Sequence, residues 1–187
     1  MKELSLHILD IAENSVRADA KIITIDIEED SQKNLLSIKI QDDGKGMDAE
    51  MVAQITDPFI TSRTTRKVGL GIPFLKAAAE ACNGHFTIQS TPGEGTNVET
   101  NFELDHIDRM PMGDIQSTFL SLLVGYPSVR WIFKYGIDGQ QFLMDSKPIH
   151  EVLENIPFSD PIVLKYLKNE INDGIQKIKN IHIQETP

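Results

Sequence analysis

Two short stretches limit the fold of this chain more than any other part of it. Lys21–Glu28 (KIITIDIE) and Leu35–Gln41 (LLSIKIQ) alternate apolar and polar residues, and only the polar turn Glu29–Asn34 separates them. A period of two puts every second side chain on one face of a strand, so each segment has one apolar face. The short link makes an antiparallel hairpin of the pair, and such a hairpin is stable only when its apolar face is covered. The preceding stretch, Leu6–Ala20, offers a cover: Leu6, Leu9, Ile11, Ala12 and Val16 recur at roughly helical spacing.

The pattern continues downstream. Asp48–Thr56 reads as a short helix with Asp48 as its N-cap, and Asp57–Lys67 as a Thr-rich, locally basic loop. Ile72–Ala81 is a helix that tolerates Pro73 in its first turn and ends at Asn83-Gly84. His85–Ser90 and Thr96–Leu104 are strands joined by the turn Thr91–Gly95. The order α-β-β-α-loop-α-β-β suits helices layered on one face of a mixed or antiparallel sheet. Asp105–Gly113 breaks the pattern and reads as a linker. Beyond it, Asp114–Val124 is helical, Val129–Ile137 and Gln141–Met144 are strands around the hairpin signal Asp138-Gly139, and Lys147–Asn155 and Asp160–Lys179 are helical. The expectation is an α+β protein: a two-layer α/β sandwich over 1–104, a linker over 105–113, and a small α+β extension over 114–187.

Charge and cysteine usage exclude several function classes. The net charge is −10. Up to Leu104 there are 10 Lys+Arg against 17 Asp+Glu, and beyond it 8 against 11. Neither part offers the basic surface that tracks a phosphate backbone, so no nucleic-acid partner is expected. No run approaches the roughly 20 apolar residues of a membrane span, and the N-terminus lacks the apolar core of a signal peptide, so a cytoplasmic protein without membrane contact is expected. The single Cys82 can form no internal disulfide and reads as a small core residue.

Three glycine stretches, Asp42–Met47, Val68–Ile72 and Gly93–Thr96, follow the helix that bears Asn14. Each alone marks only a tight turn. In this order they resemble the ATP-binding domain shared by histidine kinases, type II topoisomerases, heat-shock chaperones and mismatch-repair ATPases (the Bergerat fold), over about Lys2–Leu104. Glu13-Asn14-Ser15 with Ala18 and Ala20 resembles the family's asparagine motif. Asp42-Asp43-Gly44-Lys45-Gly46-Met47 looks like its D-x-G-x-G box, and Asp57-Pro58-Phe59-Ile60-Thr61 like the phenylalanine box of sensor kinases. Gly69-Leu70-Gly71-Ile72 and Gly93-Glu94-Gly95-Thr96 are similar to the later glycine boxes.

The resemblance implies ATP and Mg²⁺ as cofactors, and the residue chemistry agrees. A carboxylate at a strand end can accept the exocyclic amine of adenine; Asp42 holds that place, and the family implies that Thr96 joins it through a water. Gly44 and Gly46 permit close approach of base or backbone. Met47, Phe59 and Thr61 belong to the boxes that line the nucleotide. Gly69, Leu70 and Gly71 put backbone N–H groups at a helix N-terminus, where phosphate is favoured. Arg63, Arg66 and Lys67 add positive charge beside them. Asn14 offers a neutral oxygen to Mg²⁺.

The family's catalytic glutamate lies four residues before the asparagine, a position held here by Asp10. One helical turn puts Asp10 and Asn14 on one face, whereas Glu13 points about 100° away. Asp10 is therefore the expected catalytic base, although it is one methylene shorter than the family's glutamate. Arg17 follows Asn14 by three residues on the same face, as a basic residue does in sensor kinases. Lys67 stands where the family has a glycine, and the loop from Phe59 to Gly69 is short, so an open site is expected. His7 and His106 are expected as an ordinary helix residue and a solvent-exposed linker residue.

The functions expected from this resemblance all involve ATP. The first is a histidine-kinase-like unit that binds Mg·ATP and phosphorylates or regulates a separate protein. Only a few residues precede the first helix, so the phosphoacceptor is expected in trans. The alternatives are an ATP-operated binding switch with little or no phosphotransfer and an anti-sigma-type serine kinase. A homodimer is a further expected partnership, and residues 114–187 match no motif.

Overall fold

The hairpin at Lys21–Gln41 forms the middle of a mixed six-stranded sheet. The computed structural model describes residues 3–56 and 71–185. Its elements are α1 (Leu4–Arg17), β1 (Ile22–Asp30), β2 (Leu35–Asp42), α2 (Ala49–Thr56), α3 (Gly71–Ala81), β3 (His85–Thr91), β4 (Gly95–Glu103), α4 (Ile115–Gly125), β5 (Arg130–Ile137), β6 (Gln140–Asp145), α5 (Ser146–Leu153) and α6 (Pro161–Glu185). The strand order is β3-β4-β2-β1-β5-β6. All neighbours are antiparallel except β1 and β5, which run parallel.

Register fixes which side chains share a face. Ile25 stands between Ile40 of β2 and Phe133 of β5, and Ile40 stands beside Val98 of β4. These four are buried, as are Ile23, Ile27, Ile38, Phe102, Trp131 and Tyr135. Residues of α1, α3, α4 and α6 complete this core, and Phe119 of α4 stacks on Phe133 with ring centroids 4.4 Å apart. Full burial of side chains this size stabilises the fold by roughly 1.5–3 kcal/mol each.

The strands of the C-terminal part join the same sheet through β1. Tyr135 donates to Glu29 Oε1 at 2.5 Å, and Asp138 and Gly139 close the β5–β6 hairpin with φ of 49° and 83°, the pair of left-handed residues a tight hairpin needs. Residues 105–113 are not a slack connection. The Pro111 and Met112 carbonyls accept from the first-turn amides of Leu4 and Ser5 at 3.0 and 2.8 Å. They satisfy donors that a helix start leaves unpaired, and Glu3 provides no side-chain cap there.

Two details depart from the sequence reading. Leu6, expected on the core face of α1, is 37% exposed. The buried face consists of Leu4, Ile8, Ile11, Ala12 and Ser15, with Ser5 and His7 beside it. Leu6 lies two residues, about 200°, from both Leu4 and Ile8, so it points away from them. His106, expected in solvent, is half-buried and accepts from the Asp108 amide at 3.2 Å. Among the described residues no helix is long and apolar enough to cross a membrane.

Candidate functional site

The end of β2, the start of β4, the outer half of α1 and the first residue of α3 converge on one region. Asp42 is its anchor, only 8% exposed. Its Oδ1 accepts from the Gly44 amide at 2.9 Å and the Thr96 amide at 3.2 Å, and its Oδ2 from Ser15 Oγ at 2.5 Å. A carboxylate has about four acceptor positions, so three are occupied and one is left for an incoming donor. Three donors also fix the orientation of the group before any ligand arrives.

The glycines are explained by backbone rather than by an open floor. Gly46 has φ +62°, and a Cβ there would lie 1.9 Å from the Thr91 carbonyl oxygen. Gly44 is pressed against the Ala18 carbonyl oxygen, where a Cβ would approach to 2.8 Å. The same loop is tied to the opposite hairpin: Gly93 N donates to Lys45 O at 2.8 Å, and Met47 N donates to Ser90 Oγ at 2.8 Å. Thr96 Oγ1 pairs with Ser90 Oγ at 2.9 Å. Of the two roles expected for Gly44 and Gly46, close approach of the backbone is the one observed. The turn is held rigidly, as a preorganised binding surface requires.

The α1 residues meet differently. Arg17 donates to Asn14 Oδ1 at 2.7 Å and to Glu13 Oε2 at 2.8 Å. The guanidinium therefore covers the oxygen expected to ligate metal, and Glu13 holds that guanidinium. Both contacts are exposed, and an exposed i,i+4 ion pair is worth about 0.3–0.5 kcal/mol, so little opposes their exchange for a stronger partner. Asp10 is packed under Gly71: a Cβ on Gly71 would lie 1.9 Å from Asp10 Oδ2. That oxygen is buried and has no hydrogen-bond partner among the described residues. Leaving a buried acceptor unpaired costs about 1–3 kcal/mol, so this oxygen calls for a partner such as a water or an ion.

Mg²⁺ takes oxygen ligands and usually retains waters while bridging phosphates. Asn14 Oδ1, a neutral oxygen on the exposed side of α1, fits that chemistry. Among the described residues there is no group of three or more His, Cys, Asp or Glu suited to a metal. The expected residues Phe59, Thr61, Arg63, Arg66, Lys67, Gly69 and Leu70 lie outside the described residues.

Four residues at the site have no role in the sequence reading: Ser15, Asp43 and Gly95, which stand inside the quoted boxes, and Ser90. Ser15 was legible in principle, because a hydroxyl on the buried face of a helix must find a partner. Ser90 and Gly95 sit in the β3–β4 hairpin and act through register, which no local pattern displays. Asp43 accepts from the Lys21 and Ile22 amides at 2.7 and 2.8 Å, fastening the box to the start of β1. Cys82 is buried and its thiol is pushed up by burial, as suits a core residue.

His7 is buried against this region, with Nδ1 3.3 Å from the Gly71 carbonyl oxygen. Burial lowers its pKa from 6.5 and outweighs the upward effects of that bond and of Asp10. The unfolded chain therefore binds a proton near pH 6.5 while the native chain stays neutral. Stability falls as pH drops below about 6.5 and levels off below the native value. Thermal melts between pH 7.5 and 5 are expected to show this decline, and His7→Asn to flatten it; identical profiles would exclude His7 as the cause.

Comparison with known proteins agrees with this geometry. Residues 2–106 match the family described as histidine kinase-, DNA gyrase B- and HSP90-like ATPase. The non-motile and phage-resistance protein of Caulobacter vibrioides is 29% identical over 115 residues, covering 58% of this chain and 14% of that protein. The sensor histidine kinase YvrG of Bacillus subtilis is 29% identical over 94 residues, 48% of this chain and 16% of that protein. This chain thus spans less than a fifth of the length of either relative. In fold it is similar to an Aquifex aeolicus MutL ATPase domain solved with ADP, at TM-score 0.54 and 12% identity over 92% of this chain and 70% of that one. With more than half of its residues matched, the chain belongs to the histidine kinase-, DNA gyrase B- and HSP90-like ATPase family.

Proposed function

We propose that this protein binds Mg·ATP between α1, α3 and the β2–β4 end of the sheet, and that it acts in the histidine-kinase manner on a separate protein. The observation that carries the reading is Asp42. A buried carboxylate oriented by Ser15, Gly44 and Thr96 keeps one acceptor position for a donor such as the adenine amine. Guanine presents a carbonyl oxygen there and is repelled, so the same geometry gives selectivity. Asn14 would hold Mg²⁺ through Oδ1, and the ion would neutralise charge on the phosphates it bridges. Arg17 would leave Asn14 for a phosphate, where a charge-assisted bond is stronger than its present exposed pair. Gly71, opening α3, sets the helix N-terminus close to Asp10, which would orient a hydroxyl or imidazole nucleophile.

A second reading has its own observation. Asp10 is tucked beneath Gly71 and is a short carboxylate, which favours an ATP-operated switch with little transfer. Incubation with γ-labelled ATP, alone and with proteins encoded nearby, separates the two. Label on a partner supports phosphotransfer, and its acid stability distinguishes phosphoserine from phosphohistidine. Tight binding without turnover leaves the switch. Asn14→Ala is expected to weaken Mg·ATP binding at least about tenfold by calorimetry while leaving metal-free ATP binding nearly unchanged, because a lost ligand to a charged group costs about 1.5–3 kcal/mol. Unchanged Mg·ATP affinity would remove Asn14 from the metal site.

A further inference from the structure

We infer that His7 is a positioning residue that sets where the first turn of α3 stands over α1, and thereby how the site tells a terminal phosphate from its absence. The inference rests on the Mg·ATP reading above. His7 precedes Asp10 by three residues and Asn14 by seven, so all three lie along one side of α1. It is 1% exposed, and its Nδ1 meets the Gly71 carbonyl oxygen at 3.3 Å. A carbonyl can only accept, so the contact requires the proton on Nδ1 and fixes one tautomer of a neutral ring.

Gly71 is therefore held twice. Its carbonyl faces His7, and its Cα face lies so close to the Asp10 carboxylate that a Cβ would stand 1.9 Å from Oδ2 and 2.8 Å from Cγ. Without the His7 contact, nothing polar on α1 among the described hydrogen bonds would tie the start of α3 in place. α3 could then ride outward, opening space over Asp10 and letting its carboxylate turn. In this role His7 acts through Gly71, the residue its ring meets. Displacements of about 1 Å at such a point are enough to cost large factors in binding or rate.

The test compares Mg·ATP and Mg·ADP binding by calorimetry in the wild type, His7→Leu and His7→Asn, with melting curves for each. Asn places its amide N–H where Nδ1 stands, whereas Leu fills the space without a donor. His7→Leu is expected to lose about fivefold in ATP affinity, the worth of one neutral hydrogen bond, while ADP affinity changes less than about twofold. His7→Asn is expected to restore the wild-type ratio. If His7→Leu fails to fold, His7→Met, whose flexible chain adapts to the same space, gives the same readout. An unchanged ATP-to-ADP ratio, or equal weakening of both nucleotides, overturns the positioning role and leaves the Mg·ATP reading intact. A wild type that binds neither nucleotide overturns both.

Discussion

Asp42→Asn is expected to weaken ATP binding by about 10–100-fold and to erase the preference for ATP over GTP, with the fold preserved. The amide can keep its oxygen toward Gly44 N and Thr96 N, the two backbone donors on Oδ1. Its NH₂ then faces Ser15 Oγ, where the carboxylate now accepts at 2.5 Å, and a hydroxyl can rotate from donor to acceptor. What changes is the free position. A donor replaces an acceptor opposite the adenine amine, forfeiting a charge-assisted bond worth about 1.5–3 kcal/mol. The same donor suits the carbonyl oxygen of guanine. Calorimetry with both nucleotides on both proteins checks the prediction, and equal binding of ATP and GTP by the wild type would remove Asp42 from base recognition.

Gly95→Ala is expected to cost about 3 kcal/mol or more of stability, or roughly 10 °C in melting temperature for a chain of this length. Gly95 has φ +113°, a conformation that side chains rarely adopt, and its added Cβ would lie 2.0 Å from the Asp42 carbonyl oxygen and 2.9 Å from Asp43 Cα. Both are backbone atoms in or beside a paired strand, so neither can swing away. The end of β2 must shift, carrying Asp42 with it, and ATP binding is expected to fail alongside stability. Gly93→Ala is the control: it has φ +83° but open space around the added Cβ, so only the conformational cost applies. Denaturant unfolding of the two variants measures the difference, and equal losses would show that crowding against β2 is not what requires a glycine at 95.

The glycines of the candidate site show how far a sequence can be read. Each stretch alone marks only a tight turn, and their order after the helix that bears Asn14 carries the resemblance to the ATPase family. Which glycine serves which neighbour is a matter of contacts between distant segments. Gly46 answers to Thr91, Gly95 to Asp42, and Gly71 to Asp10; none of these pairs is close in the chain. The α1 face illustrates the same point. Helical spacing found Ile11 and Ala12, but it counted Leu6 as core because several stripes of a short helix look equally apolar until its partners are known.

The sequence alone determined the elements, the hairpin at Lys21–Gln41 and the α+β class, because these depend on local periodicity and turn chemistry; the order of the glycine stretches added the resemblance to the ATPase family. Asp10 is singled out by the family resemblance, which implies a carboxylate four residues before the asparagine; the fixed length of a helical turn adds only that the two share a face. Only the tertiary structure decided that β5 lies parallel to β1 and that residues 105–113 cap α1. It also decided that Arg17 covers the Asn14 oxygen and that His7 and Asp10 close on Gly71 from one side of α1. These are pairings across long loops. Their free energy depends on which surfaces the packed core brings together, and no local pattern carries that information.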